Sequence, residues 1–534
     1  MPILDSIPWL SILVFWPVVG MVIILFMRNE RAIKNFAVWW SVVPCLITTF
    51  LWVAYVAGGG NGFQFVERAP WIPQLGITYN LGIDGISLPL LWMSTIMTTV
   101  ALAYSRNVIN TRVKEYFALF LLLETGMLGV FVALDMFLFY VFWEIGLVPM
   151  YFLIGVWGGA RREYAAIKFF LYTLAGSVFM LLAIIAVYFR TGTFNILDAS
   201  ALAPFAGETL LQVLVFLGFF VAFAIKVPMF PFHTWLPDAH VEAPTAGSVV
   251  LAAVLLKLGT YGFVRISLPM FPEAFNLLAI PIALLALIGI IYGALVAMAQ
   301  WDFKKLIAYS SVNHMGYVML GLASAAYLLP YIGEGGLGGE NRAAYANTAA
   351  AGVNGAVYEM LAHGFITGAL FLMVGLLYDQ RTHTRDLKRY GGLFGLVPKY
   401  AGFLILFAMA SLGLPGLMGF VAEFLIFRGA FPAGSWITVF ALLGVLGIIF
   451  TAALFLWKVI QLILLGPPAA EWAEGEHRLL DLTRKEVWIL APMMLATVAF
   501  GIFPGPLLNL INPSTLDILA SASNVAVALA PFLR

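Results

Sequence analysis

The chain has 534 residues, of which 62% are hydrophobic and 10% charged, with a net charge of +1 and a mean hydropathy of +0.98. A soluble domain carries roughly a quarter charged residues, so the composition belongs in lipid, and so small a net charge excludes a global field for nucleic acid. The single cysteine, Cys45, cannot form an internal disulfide or hold an iron–sulfur cluster, and there is no CxxCH haem-attachment motif or GxxxxGK[ST] phosphate loop.

Each crossing of a bilayer takes about 20 residues of helix, so the chain is organised by its spans. The first apolar run, 7–27, follows Asp5 with no Lys or Arg and is too long for a signal-peptide core, so a retained first span is expected. Spans then follow near 36–57, 86–104, 116–134, 136–157, 166–189 and 210–232. The remainder fall near 243–267, 274–299, 303–327, 348–377, 399–428, 436–466 and 487–507, which makes fourteen in all.

Lys and Arg collect in cytoplasmic loops, and with fourteen spans the loops alternate. One set carries Arg28, Arg31, Lys34, Arg106, Arg112, Lys114, Arg161, Arg162, Lys304, Lys305, Arg381, Arg385, Lys388, Arg389, Arg478, Arg484 and Lys485. The other carries Arg68, Arg190, Arg265, Arg342, Arg428 and Arg534. The split, roughly three to one, predicts that both termini face outward. Lys168 and Lys399 sit close to span ends, where their stems can snorkel to the interface.

Inside the predicted spans remain Glu124, Glu144, Lys226, Lys257, His314, His363 and Glu423, with Lys458 nearer an end. A central charge costs about 2.5–3.5 kcal/mol on insertion scales, so such a set needs partners, water or a function. A buried ion pair that only fixes packing explains one such residue more easily than the whole set. Desolvation lowers the proton affinity of Lys and raises that of Glu, which suits both to a proton relay near neutral pH.

Two spans are also interrupted. The seventh, FAIKVPMFPFHTWLPDAH, has Pro228 and Pro231 just after Lys226; the twelfth, SLGLPGLMGFVAEF, has Gly413, Pro415, Gly416 and Gly419 before Glu423. Broken helices free backbone groups that hydrocarbon cannot satisfy, and paired breaks in two halves mark the ion site of inverted-repeat transporters.

The segments WEIGLVPMYFLIGVWGG, KVPMFPFHTWLPDAHVEAPTAGSVVLAAVLLKLGTYG, SSVNHMGYVMLG and LPGLMGFVAEF resemble the proton-conducting, antiporter-like membrane chains of NADH:quinone oxidoreductase, respiratory complex I. The similarity runs from about Asp84 to Trp457, and the first two segments are closest to the M-type chains.

The resemblance implies an all-α integral membrane fold of about fourteen helices, with two inverted five-helix repeats broken at helices 7 and 12. The expected division is 1–110 for spans 1–3, 111–270 for the first repeat, 271–470 for the second, and 471–534 for a cytoplasmic loop, span 14 and a tail. It implies that Glu144 pairs with Lys226, that Lys257 is central, that His314 and His363 connect it to Glu423, and that Glu423 leads outward. Glu124 backs up Glu144 in this scheme.

No cofactor or metal is expected on this chain; flavin, iron–sulfur clusters and quinone belong to partner subunits. The expected partners are other membrane-arm subunits, including sister antiporter-like chains, in a bacterial cytoplasmic membrane. Haem ligation by the two span histidines is disfavoured, because nothing else marks a haem site. His233 and His240 read as hydrogen-bonding residues at the cytoplasmic end, with proton uptake as an alternative role. The rival functions are a subunit of a multi-subunit cation/proton antiporter, a membrane-bound hydrogenase-type complex, and a scaffold with vestigial charges.

Overall fold

A computed structural model describes residues 7–333, 336–473 and 478–529, so the Asp5 flank and Arg534 lie outside the described residues. Among these, thirteen helices are long and apolar enough to cross a membrane, and a further crossing is made of two shorter helices end to end. Spans 1–6 are α1 (Trp9–Phe26), α2 (Glu30–Ala57), α3 (Ser87–Val108), α4 (Val113–Val132), α5 (Met136–Trp157) and α6 (Arg162–Thr191). The seventh runs down α7 (Thr209–Lys226), breaks, and resumes as α8 (Trp235–Glu242). Then come α9 (Thr245–Met270), α10 (Ala279–Ala299), α11 (Phe303–Ile332) and α12 (Arg342–Leu377). The twelfth span is α13 (Pro398–Ser411) plus α14 (Met418–Ala430), followed by α15 (Ser435–Leu464), α16 (Arg484–Ile502) and a final helix α17 (Gly505–Leu529).

Burial separates an inner from an outer set. α9 and α12 are enclosed by protein along their apolar length, whereas α1, α2, α6, α15 and α16 leave most of theirs uncovered. Their uncovered faces carry Trp39, Phe189 and Trp488, the apolar cover that lipid contact requires. The two central helices carry Lys257 and His363, so these ionisable groups are kept from hydrocarbon by a shell of other helices.

Glycine sets the closest approaches. A Cβ on Gly126 of α4 would stand 2.6 Å from the Gly146 nitrogen of α5, and one on Gly259 of α9 would stand 2.7 Å from the Phe223 oxygen of α7. The latter seats α9 directly beside Lys226, since the same Cβ would lie 3.0 Å from the Lys226 Cβ.

Several features escaped the helix-only reading. Residues between spans 2 and 3 form an antiparallel hairpin, β1 (Gln64–Ile72) and β2 (Ile77–Ile83). α9 widens into π-helical turns at Leu251–Leu255 and Phe263–Ser267, flanking Lys257, and α15 does so at Phe455–Leu464 around Lys458. Such turns are uncommon and occur often at functional sites. The segment GEGGLG at 333–338 has GxGxxG spacing, but it follows α11 rather than a strand and so carries no dinucleotide reading.

Two basic residues counted with the loops are buried instead. Arg265 lies within α9 at 3% exposure and donates to Asp84 at 2.5 Å, joining α9 to the turn between β2 and α3. Asp84 also accepts from the Ser87 amide at 2.9 Å. Burial pushes the Asp84 carboxyl up, but the Arg265 guanidinium outweighs it and holds the group below its ordinary range. Lys304 opens α11, is buried, and donates to the Ala243 carbonyl at 2.9 Å. Lys168 is ion-paired to Asp238 at 2.7 Å.

Candidate functional site

Each break leaves backbone groups to satisfy. At the first, Pro228 and Pro231 have no N–H, and the helix ends at Lys226. The indole of Trp235, at the start of α8, donates to the freed Ile225 carbonyl at 2.9 Å and ties the two halves together. Lys226 projects from this end, 1% exposed, with no hydrogen-bond partner on Nζ. It stands 5.3 Å from the Trp143 ring centre and 5.6 Å from that of Phe169, so aromatic faces lie over the ammonium. Glu144, one residue after Trp143, is half-buried with Oε1 unpartnered. The two expected pair members are therefore neighbours without a direct hydrogen bond. Glu124 on α4 is fully buried with neither oxygen bonded.

The second break is built differently. Gly413 and Gly416 have φ of +79° and +91°, a region where an L side chain is strained. A Cβ at Gly413 would also meet Glu423 Oε2 at 2.6 Å, so the missing side chain makes room for that carboxylate. Ser411 before the break and Glu423 after it both face His314 of α11: His314 Nε2 lies 3.1 Å from Ser411 Oγ, and Nδ1 lies 3.9 Å from Glu423 Oε1.

Between the breaks the predicted residues converge. Lys257 Nζ reaches the Ala252 carbonyl, in the π-helical stretch, at 2.6 Å and His363 Nδ1 at 2.5 Å. The His363 and His314 rings are 5.7 Å apart, and His363 Nε2 is left without a partner. Lys257, His363, His314 and Glu423 thus form a near-continuous buried file, while Glu144 and Lys226 stand as a separate group.

One residue of the file was missed. Glu359 of α12, 2% exposed, places Oε1 3.2 Å from His314 Nδ1, closer than Glu423, although the angle falls outside hydrogen-bond geometry. Its signal was in the sequence: a lone carboxylate in an apolar run, four residues before His363 and hence on the same helix face.

The hydrogen-bonding reading of His240 does not hold. Its ring is fully buried, stacked 4.3 Å from Phe371, and neither nitrogen has a partner. The polar contact of His233 runs 3.4 Å from Nε2 to the Tyr292 hydroxyl, and its Nδ1 is unpartnered. Lys458 is buried near the basic-loop side, donates to the Gln300 carbonyl at 2.6 Å and lies 4.0 Å over the Trp301 ring, apart from the file. No group of three or more His, Cys, Asp or Glu among the described residues is arranged to hold a metal ion.

A protein-family profile described as NADH:quinone oxidoreductase/Mrp antiporter, transmembrane, matches residues 133–329 and 342–451. The chain belongs to this family. It is 44% identical over 520 residues to the NADH-quinone oxidoreductase subunit M of Rhodobacter capsulatus, covering 95% of each chain. It is 40% identical over 522 residues to the subunit M of Rickettsia prowazekii, covering 96% of this chain and 99% of the relative. Among solved structures, a chain of respiratory complex I from Thermus thermophilus superposes with a TM-score of 0.81 at 31% identity, over 96% of this chain and 100% of that one. A chain of the Mrp complex from Dietzia, at 23% identity and a TM-score of 0.76 over 98% of this chain and 52% of that one, shares the fold. The family sets the chain among the antiporter-like membrane subunits of complex I, with both breaks inside the matched residues.

Proposed function

We propose that this chain is a proton-translocating subunit of the membrane arm of an NADH:quinone oxidoreductase, carrying protons outward at the expense of quinone reduction in partner subunits. The observation that carries the reading is the buried contact of Lys257 Nζ with His363 Nδ1 at 2.5 Å, at the head of a file ending in Glu423. A lysine and a histidine in contact can pass a proton between them, and a charge on either disfavours a second charge on its neighbour.

The gate is the separate group. With no hydrogen bond fixing Lys226 to Glu144, a change of charge or distance between them alters the proton affinity of Lys226 directly. Moving one charge against 100 mV costs about 2.3 kcal/mol, and a hundredfold change in proton affinity supplies about 2.7 kcal/mol. A single rearranged buried pair covers that cost. Lys226 then passes its proton to Lys257, which hands it through His363 and His314 to Glu423.

The reading includes inverted repeats over 111–270 and 271–470, both termini outside a bacterial cytoplasmic membrane, sister antiporter-like chains as neighbours, and redox groups confined to partner subunits. In proteoliposomes holding the intact complex, Lys226→Ala is expected to lower NADH-driven proton pumping and coupled quinone reduction together. Wild-type rates for both would overturn the relay. Sodium-dependent proton exchange without NADH would favour the cation/proton antiporter instead.

A further inference from the structure

Glu359 has no part in the scheme above, yet it is the carboxylate nearest to His314. Its Oε1 lies 3.2 Å from His314 Nδ1, while Glu423 Oε1 lies at 3.9 Å, beyond hydrogen-bond reach. Its other oxygen, Oε2, is buried and has no partner. A buried carboxylate oxygen with no donor is costly, so its place beside an imidazole asks for more than a packing role. The groups facing it are Lys257 from α9, His314 and Tyr317 from α11, His363 one turn along α12, and Glu423 from α14.

We propose that Glu359 is a second proton-holding carboxylate of the file, which takes the proton from His314 before Glu423 receives it. The inference rests on the relay reading above. The imidazolium of His314 gives its Nδ1 proton to Glu359 Oε1, leaving a neutral imidazole and a neutral carboxylic acid. When Glu423 has released its own proton outward, the proton returns from Glu359 to His314 Nδ1 and passes on to Glu423. Both carboxylates face the same His314 nitrogen, so a proton arriving there rests on Glu359 while Glu423 is occupied. The pair thereby rectifies flow: an occupied Glu359 keeps His314 from drawing a proton back from Glu423.

Three variants of the intact complex in proteoliposomes decide the matter. Glu359→Gln keeps the size and hydrogen-bonding capacity of the side chain but cannot carry the proton, and it is expected to lower NADH-driven pumping about tenfold, less than the loss of an essential proton-transfer group. Glu359→Asp keeps the proton with a shorter reach and is expected to pump at an intermediate rate with a shifted pH profile, which a purely structural role would not produce. Lys257→Ala tests the relay itself. Wild-type pumping in Glu359→Gln beside loss in Lys257→Ala overturns the role of Glu359 and leaves the relay standing. Wild-type pumping in Lys257→Ala overturns both. If Glu359→Gln does not assemble, Glu359→Asp decides alone, and a wild-type rate and pH profile would sink the proposal.

Discussion

The two interrupted spans place an ionisable residue beside a helix break, and they do so in opposite ways. At the first, the charge precedes the break, stands among aromatic rings and makes no hydrogen bond, while a tryptophan from the second half caps the freed carbonyl. At the second, the charge follows the break, occupies space left by a glycine, and shares His314 with the serine before the break. The first region is thus arranged to be changed by its surroundings, because no hydrogen bond joins Lys226 to Glu144. The second is arranged to pass a proton along, because its polar groups already approach one another.

If the second region is the conduit, the largest loss comes from cutting it at its head. Lys257→Ala is expected to reduce NADH-driven pumping by at least tenfold in an assembled complex, as loss of an essential proton-transfer group does. A pH-sensitive dye in proteoliposomes reads this directly. Gly413→Ala tests whether the glycine is what positions the outlet carboxylate. The new Cβ falls in a positive-φ position, at about 1–2 kcal/mol, and against Glu423 Oε2, so pumping several-fold below wild type is expected with subunit assembly preserved.

Outside both regions, Asp84→Asn should act on stability and leave the pumping of the surviving complex unchanged. It strands the buried Arg265, and breaking such a pair costs about 3–5 kcal/mol, measurable as a lower unfolding midpoint. Because the folded Asp84 carboxyl lies below its ordinary range, its contribution is present above that range and is lost as pH falls through the folded value. Wild type should therefore weaken in strong acid along a limb that Asp84→Asn lacks, a difference that thermal melts across pH would show. The smallest effect is expected at Lys168, whose pair with Asp238 is partly solvated: Lys168→Met should shift stability by no more than about 1 kcal/mol, with pumping within error.

The span count was legible because a 20-residue apolar block is a property of the sequence itself, and the breaks were legible because Pro and Gly act on their own backbone. Lys257, His363, His314 and Glu423 stood out as charges where hydrocarbon would not tolerate them. Glu359 meets the same criterion, but its role beside His314 shows only in the 3.2 Å distance between them. The β1–β2 hairpin was hidden inside a loop too short and mixed to compete with the spans around it. Arg265 and Lys304 were counted as loop charges because a residue near a span end carries no local mark of whether a partner waits inside.

Sequence alone determined that this chain lives in a membrane, how often it crosses, where its helices break and which family it resembles, since each depends on composition or on local backbone chemistry. Tertiary structure decided which of the buried charges touch. Lys257 and His363 are 106 residues apart and meet at 2.5 Å, whereas Glu144 and Lys226, linked from the outset by resemblance, are held short of a bond. Contact between side chains depends on how whole helices are rotated and spaced, which small residues such as Gly259 and Gly413 set from neighbouring elements, and no local pattern records that.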